Sequence, residues 1–203
     1  MTKDAAKENG GKAAYAASKK YAELAVWDWA DAHPDVDVTT SRPITLVFPW
    51  IMLTVSPRTV LPSFIYGPFP PKFIPLPKPD FDSISTTLMI YNLLFPSGVY
   101  LPRPSHVDFR DVARAHVGAL DNEPDKKNRK RIIVSSPHGL KLKHVFDIIK
   151  KEHPELERRF IAAPVPEFPY DNYDFDFKRI EEVTGMRKED FHTLEEVCYV
   201  TVW

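Results

Sequence analysis

The stretch from Asp111 to Ser135, DVARAHVGALDNEPDKKNRKRIIVS, decides the fold class. Its first part, Asp111–Leu120, places alanine, valine and leucine at helical spacing, and Asp111 stands where it can cap or charge the start of a helix. Its last part, Arg129–Ser135, is apolar and β-branched, as in a buried strand. A helix followed by a short apolar strand predicts an α/β fold when the alternation continues along the chain.

The same alternation continues on both sides of this stretch. We predict helices over Ala13–His33, Ser83–Leu94, Leu142–Lys151 and Phe177–Thr184, and strands over Asp35–Thr40 and Leu61–Tyr66. The residue before a proline avoids the helical conformation, so Pro34 and Pro154 mark helix ends, and Gly185 marks another. Prolines are too dense between residues 68 and 81 for a helix, and this segment is predicted to be a loop.

Composition and charge exclude several classes of function. Lys plus Arg (27) nearly balances Asp plus Glu (28), so no strong field is available to attract nucleic acid or an anionic membrane. The single cysteine, Cys198, cannot form an internal disulfide, and residues 1–12 lack the apolar run of a secretory signal. The seven histidines lack the close spacing of metal ligands. We therefore expect a cytoplasmic protein with no metal and no nucleic-acid partner.

One apolar segment, Ile44–Val60, could be interpreted as a membrane helix. It contains Pro49, Pro57 and Arg58, and it is shorter than the roughly 20 residues that a membrane span needs. The sequence therefore predicts no membrane crossing here.

Tyr15 and Lys19 are the candidate catalytic residues. They are four positions apart in a predicted helix, so their side chains lie on the same face. An ammonium beside a phenol favours the phenolate, which makes a tyrosine usable as a proton donor or acceptor at neutral pH. The alternative is an ordinary amphipathic helix with a packed tyrosine and a solvated lysine.

Five motifs follow one another along the chain: Tyr15-Ala-Ala-Ser-Lys19, Pro62-Ser-Phe-Ile-Tyr-Gly-Pro68, Val107-Asp-Phe-Arg-Asp-Val-Ala-Arg-Ala-His116, Arg131-Ile-Ile-Val-Ser-Ser-Pro137 and Arg179-Ile-Glu-Glu-Val-Thr-Gly185. Together they resemble the extended short-chain dehydrogenases of the NAD-dependent epimerase/dehydratase superfamily, in particular fungal ketoreductases that are dihydroflavonol reductase-like or methylglyoxal reductase-like. The resemblance covers about Tyr15 to Thr201. It is specific because several motifs occur in the order that the family has them.

The resemblance implies the C-terminal part of a Rossmann-like parallel sheet together with a small substrate-binding subdomain. Residues 1–135 are expected to form the remnant of the Rossmann-like domain, and residues 136–203 the subdomain. The N-terminal dinucleotide-binding half is expected to be absent, because only Gly10-Gly11 precedes Tyr15 and no apolar strand leads into it. The chain by itself is therefore expected to be inactive.

The resemblance also implies the chemistry. The cofactor, NADP or NAD, transfers a hydride to a small carbonyl substrate while Tyr15 protonates the oxygen. Lys19 assists Tyr15 and hydrogen-bonds the nicotinamide ribose, and the backbone of Pro62 and Ser63 faces the nicotinamide carboxamide. The loop over 68–81 walls the substrate pocket. The family's catalytic serine or threonine lies upstream of the tyrosine, and Ser18 is a poor substitute for it. The alternative function is a non-catalytic remnant that binds protein partners through uncovered sheet edges and apolar surface.

Residues 41–60 depart from the family pattern, which runs almost directly from the strand ending at Thr40 into the strand that begins at Leu61. We expect this segment to be an insertion. An intron retained in the translated sequence would explain it, and so would a genuine insertion that faces lipid or a partner. Ser41-Arg-Pro-Ile44 could also imitate the start of the second strand.

Overall fold

The computed structural model describes residues 2, 11–33, 40–41, 59–67, 86–100, 105–121, 131–167 and 173–201. The predicted strand residues 35–39, the predicted loop 68–81 and most of the expected insertion lie outside this part of the chain.

Helices and strands alternate through the described residues. The α-helices are α1 (Gly11–Ala32), α2 (Thr86–Tyr91), α3 (Phe109–Asp121), α4 (Leu142–Glu152), α5 (Phe177–Thr184) and α6 (Leu194–Thr201). The strands are β1 (Thr40–Ser41), β2 (Thr59–Pro62), β3 (Phe64–Tyr66), β4 (His106–Asp108) and β5 (Arg131–Val134). Short 3-10 helices cover Asn92–Leu94, Pro154–Arg159 and Lys188–Asp190.

The strands form two parallel sheets. The first has the order β1-β2-β5, and the second pairs β3 with β4. The single strand predicted over Leu61–Tyr66 is therefore two strands, divided at Ser63. Pro62 still pairs with Val134 of β5, whereas Phe64 already pairs with His106 of β4, so the chain changes sheet at Ser63.

The edges of the expected insertion differ from the sequence-based boundaries. Thr40 pairs with Thr59 and Ser41 pairs with Val60, so the first strand extends to Ser41 and the second begins at Thr59. Val60 is buried in the core. Parallel neighbours need a crossover of about a dozen residues or more, and residues 42–58 connect the two strands. Ser41, Thr59 and Val60 therefore belong to the sheet.

The two-stranded sheet separates two hydrophobic cores. Side chains alternate between the faces of a strand, so Phe64 and Tyr66 face one core while Ile65 and Val107 face the other. The first core also contains Ile90, Leu93, Leu94, Leu140, Leu142, Val145, Ile149, Leu194, Val197 and Cys198. The second also contains Val60, Ala115, Ala119, Ile132, Val134, Ile180, Val183, Met186 and Phe191.

Helix α5 begins and ends as its sequence predicts. The Asp176 side chain accepts the Arg179 N–H at 2.9 Å, and Gly185 ends the helix in the left-handed conformation at φ 71°. Helix α3 packs so closely on α5 that a Cβ on Gly118 would come within 1.9 Å of the Thr184 carbonyl oxygen. Glycine at this position is what allows the second core to close.

Asp111 lies in the first turn of α3, as expected for a residue that charges the helix start, but it is not the cap. Asp108 caps the start of α3, because its Oδ1 accepts a hydrogen bond from the Arg110 N–H at 2.7 Å. The Asp111 carboxylate is fully buried and accepts hydrogen bonds from the His192 N–H at 3.0 Å and the Arg114 Nη2 at 2.6 Å, with His192 Nδ1 2.7 Å away. Asp111 thus ties α3 to the segment that leads into α6.

Candidate functional site

Tyr15 and Lys19 lie one turn apart on α1 and their side chains meet, as the spacing predicts. The Lys19 Nζ lies 5.2 Å from the centre of the Tyr15 ring, which is a cation–π distance. The Tyr15 side chain is 39% exposed, so a ligand can reach it, while Lys19 is half-buried. The structure therefore brings together the two residues that the sequence selects as catalytic.

Ser18 lies between Tyr15 and Lys19 in sequence, but its hydroxyl is engaged within the helix and is not placed to act as the catalytic serine. Its Oγ donates a hydrogen bond to the Tyr15 carbonyl oxygen at 2.7 Å, within the same helix. A hydrogen bond from serine to a carbonyl oxygen one turn earlier is common inside helices, and here it uses the hydroxyl proton of Ser18. Ser18 therefore remains a poor substitute for a catalytic serine.

A partly buried ion pair connects helix α1 to the three-stranded sheet. Glu23 Oε1 lies 3.3 Å from the Nε of Arg131, the first residue of β5. Ala17 and Trp27 are buried, which shows that this side of α1 packs against the rest of the protein. The ion pair fixes the position of α1 along β5.

Pro62 and Ser63, the predicted nicotinamide contacts, lie at the carboxyl end of β2 and are buried. Ser63 is 7% exposed, and its N–H donates to the Val134 carbonyl oxygen at 3.0 Å. Pro62 has no N–H to offer. The backbone of these two residues therefore has only carbonyl oxygens to offer a carboxamide, which would have to act as the donor.

A chain of hydrogen bonds runs from the Ser63 side chain to the backbone of His106. The Ser63 Oγ donates to the Ser135 Oγ at 3.0 Å, and the Ser135 Oγ donates to the His106 carbonyl oxygen at 3.1 Å. The same carbonyl oxygen accepts the Ser136 N–H at 2.7 Å. The sequence does not indicate a role for Ser135. Its contact joins it to Ser63, 72 positions away, and leaves no local pattern in the sequence.

Three buried side chains, those of His106, Tyr66 and Cys198, are neutral at neutral pH. Burial lowers the pKa of His106 to about 4, with a smaller lowering from His138 and an opposing contribution from Asp108. Burial raises the pKa of Tyr66 far above its usual range, and burial raises the pKa of the Cys198 thiol to about 12. None of the three can exchange a proton readily at neutral pH.

Several buried polar atoms have no hydrogen-bond partner within the described part of the chain. They are Trp27 Nε1, the Tyr66 hydroxyl, both ring nitrogens of His106, and His116 Nε2. Among the same residues, no group of three or more histidine, cysteine, aspartate or glutamate side chains is arranged to hold a metal ion. The described helices also include none with the length and apolar character to cross a membrane.

The fold is mixed α/β with short parallel sheets, which is a partial Rossmann-like fold, and solved reductases share it. A reductase that was subjected to structure-guided engineering for asymmetric catalysis matches 99% of this chain and 53% of its own, with a TM-score of 0.65 and 18% identity. Yeast methylglyoxal/isovaleraldehyde reductase Gre2, complexed with NADPH, matches with a TM-score of 0.59 and 20% identity, over 94% of this chain and 50% of its own.

A third solved structure, Gre2 from Candida albicans in complex with NADPH, matches with a TM-score of 0.60 and 25% identity. It too covers 94% of this chain and 50% of its own. The chain thus spans about half the length of the reductases that it matches. Neither a protein-family model nor a curated protein matches it.

Proposed function

We propose that this chain carries the proton donor of an NAD(P)H-dependent reductase that converts a small carbonyl compound into an alcohol. The meeting of Tyr15 and Lys19 on an accessible face of α1 carries the proposal. The likeness to reductases solved with NADPH supports it.

In this proposal Tyr15 is the general acid. Its phenol donates a proton to the carbonyl oxygen as the alcohol forms, and the neighbouring Lys19 ammonium stabilises the phenolate that remains. Reduced nicotinamide, when bound, supplies the hydride that the carbonyl carbon receives. Lys19 has a second proposed role, a hydrogen bond to the nicotinamide ribose.

The position of α1 supports the proposal that Tyr15 lies near Pro62 and Ser63, the predicted nicotinamide contacts. Tyr15 precedes Glu23 by two helical turns, about 12 Å along the helix, and Val134 follows Arg131 by about 10 Å along β5. A helix that returns the chain to the start of a parallel strand runs opposite to that strand. With Glu23 and Arg131 paired, Tyr15 would then lie level with the carboxyl ends of β5 and β2, where Pro62 and Ser63 lie.

The residues fit the nicotinamide end of the cofactor but not its pyrophosphate. A pyrophosphate needs backbone N–H groups at a glycine-rich turn before a helix. No such turn between a strand and a helix occurs within the described residues, where α1 begins at Gly11. We therefore propose that the activity uses a dinucleotide-binding half in addition to the described residues, and that this half sets the choice between NADP and NAD.

Two further assignments belong to the proposal. Residues 136–203 would contribute the substrate-binding subdomain behind the sheet formed by residues 1–135, with the 68–81 loop as a wall of the substrate pocket. The buried free thiol of Cys198 suits a reducing compartment such as the cytoplasm.

One observation favours a second candidate function, the binding of a protein partner. Val117 and Leu120 lie on the outer face of α3 and are 60% and 64% exposed. Two large apolar side chains one helical turn apart offer a small contact surface. A non-catalytic role through this surface would leave Tyr15 without function, so the two candidates differ in what Tyr15 does.

The proposed function can be tested with a fusion protein that joins residues 1–203 behind the N-terminal half of the yeast reductase. We expect it to oxidise NADPH when methylglyoxal or isovaleraldehyde is added, measured by the loss of nicotinamide absorbance. The same N-terminal half without residues 1–203 is the control and should be inactive. A folded fusion protein that binds NADPH but reduces neither aldehyde would contradict the proposal for these substrates.

A further inference from the structure

Ser63 lies where the chain leaves one sheet and enters the other. Pro62 is the last residue of β2 paired with β5, and Phe64 is the first residue of β3 paired with β4. Between them, the Ser63 N–H donates to the Val134 carbonyl oxygen of the first sheet. The side chain of Ser63 supplies the connection towards the second sheet.

That connection passes through the hydroxyl of Ser135. Ser135 accepts from Ser63 and donates to the His106 carbonyl oxygen, at 3.0 and 3.1 Å. A serine hydroxyl has one proton to donate, so donation to His106 leaves its lone pairs for Ser63 and sets the direction of the chain of bonds. Ser63 and Ser135 are both buried, so bulk water does not replace either bond.

We propose that Ser135 is a positioning residue, which holds the Pro62–Ser63 backbone at the place where it meets the nicotinamide. The inference rests on the proposed function, since it assigns a role to the cofactor contacts proposed there. Ser135 acts through Ser63 and does not itself touch the cofactor. Its loss is expected to loosen the junction between the sheets and to weaken cofactor binding more than the chemical step.

The neighbouring Ser136 provides a matched control. It has the same residue type and is equally buried, and it follows the same strand. Its Oγ accepts the His138 N–H at 3.1 Å, and its backbone N–H, which a substitution to alanine keeps, binds His106. Ser136→Ala therefore removes a buried hydroxyl close to the junction without removing the link to Ser63.

The test compares Ser135→Ala, Ser135→Thr and Ser136→Ala in the fusion protein. Ser135→Ala is expected to raise the KM for NADPH by about five- to tenfold, the effect of one hydrogen bond, while kcat changes by less than about twofold. Ser135→Thr keeps the hydroxyl and should restore most of the affinity. Ser136→Ala should leave the KM for NADPH within about twofold of the parent.

A second measurement covers the case in which Ser135→Ala unfolds the protein. Ser63→Ala removes the donor from the other end of the same bond, and it should raise the KM for NADPH to a similar extent. An inactive parent fusion would contradict the proposed function, and this inference with it. An active parent in which Ser135→Ala or Ser63→Ala raises the KM no more than Ser136→Ala would overturn the positioning role alone.

Discussion

The Lys19 ammonium lies over the ring of Tyr15, one turn further along α1, at 5.2 Å from the ring centre. This relationship gives Lys19 two proposed tasks, to stabilise the Tyr15 phenolate and to bind the nicotinamide ribose. Lys19→Met keeps the length of the side chain and removes its charge. In the fusion protein we expect it to raise the KM for NADPH and lower kcat together, each by about tenfold or more.

Lys20→Met is the control for that prediction. Lys20 is the next residue of α1, and its Nζ lies 5.5 Å from the ring centre of Tyr21, so the substitution removes a similar cation–π contact at another place on the helix. Steady-state kinetics of the two variants should separate them. A Lys19→Met variant with the KM and kcat of Lys20→Met would remove Lys19 from the site.

The chain by itself is expected not to bind NADPH or NADH with a dissociation constant below about 1 mM, which corresponds to roughly 4 kcal/mol. In the proposed function, Tyr15, Lys19 and the Pro62–Ser63 backbone would contact only the nicotinamide end. The pyrophosphate and the adenosine ribose are bound by parts of the fold that the described residues do not include. Titration of NADPH fluorescence with monodisperse protein checks this, and a micromolar dissociation constant would show that the chain holds the cofactor in another way.

The burial of His106 predicts a loss of stability in acid. Its folded-state pKa of about 4 lies below the ordinary 6.5, so the unfolded chain takes up the proton first as the pH falls. Stability is therefore lost between about pH 6.5 and pH 4, by on the order of 3 kcal/mol, and this group adds no further loss below pH 4. His138 and Asp108, the groups that face His106 electrostatically, act in opposite directions.

Urea unfolding at several pH values measures this loss. His106→Leu should flatten the stability profile between pH 6.5 and pH 4, because it removes the group that must stay neutral when folded. His144→Leu is the control, since His144 is exposed and pairs with Glu195 on the surface. Equal pH profiles for the two variants would mean that His106 does not cause the acid sensitivity.

Local patterns in the sequence predict much of this fold. The helix over Phe177–Thr184 has its predicted bounds because Asp176 and Gly185 act at its two ends. The strand before Ser135 and the helix after Lys141 also lie where apolar periodicity places them. In each case residues close in sequence determine the structure.

Contacts between distant residues could not be read from the sequence. The division of the 61–66 run at Ser63 depends on Val134 and His106, which belong to two different sheets. The burial of Asp111 depends on His192, 81 positions away. Among the candidate site residues, the spacing predicted the meeting of Tyr15 and Lys19, whereas the role of Ser135 depends on pairing that only the fold reveals.

Joining Thr40 directly to Leu61 is expected to leave a folded chain. The join removes the short β1 and puts Thr40 at the position of Val60 against β5. Burying a threonine hydroxyl where a valine methyl packed costs on the order of 1–3 kcal/mol. Urea unfolding should remain cooperative, with stability reduced by about 1–3 kcal/mol for the hydroxyl and by the loss of the β1 pairing in addition. Loss of cooperative unfolding would show that residues 41–60 are required by the fold.

The identity of Tyr15 as proton donor is the central claim, and turnover of the fusion protein carrying Tyr15→Phe tests it most directly. Phenylalanine keeps the ring beside Lys19 and removes the only proton that the side chain can give. We predict a kcat at least about a hundredfold below the parent, the lower range for general acid catalysis, while NADPH binding survives because Lys19 and the Pro62–Ser63 backbone keep their contacts. Tyr21→Phe on the same helix should turn over like the parent. Near-parental turnover by Tyr15→Phe would contradict the account.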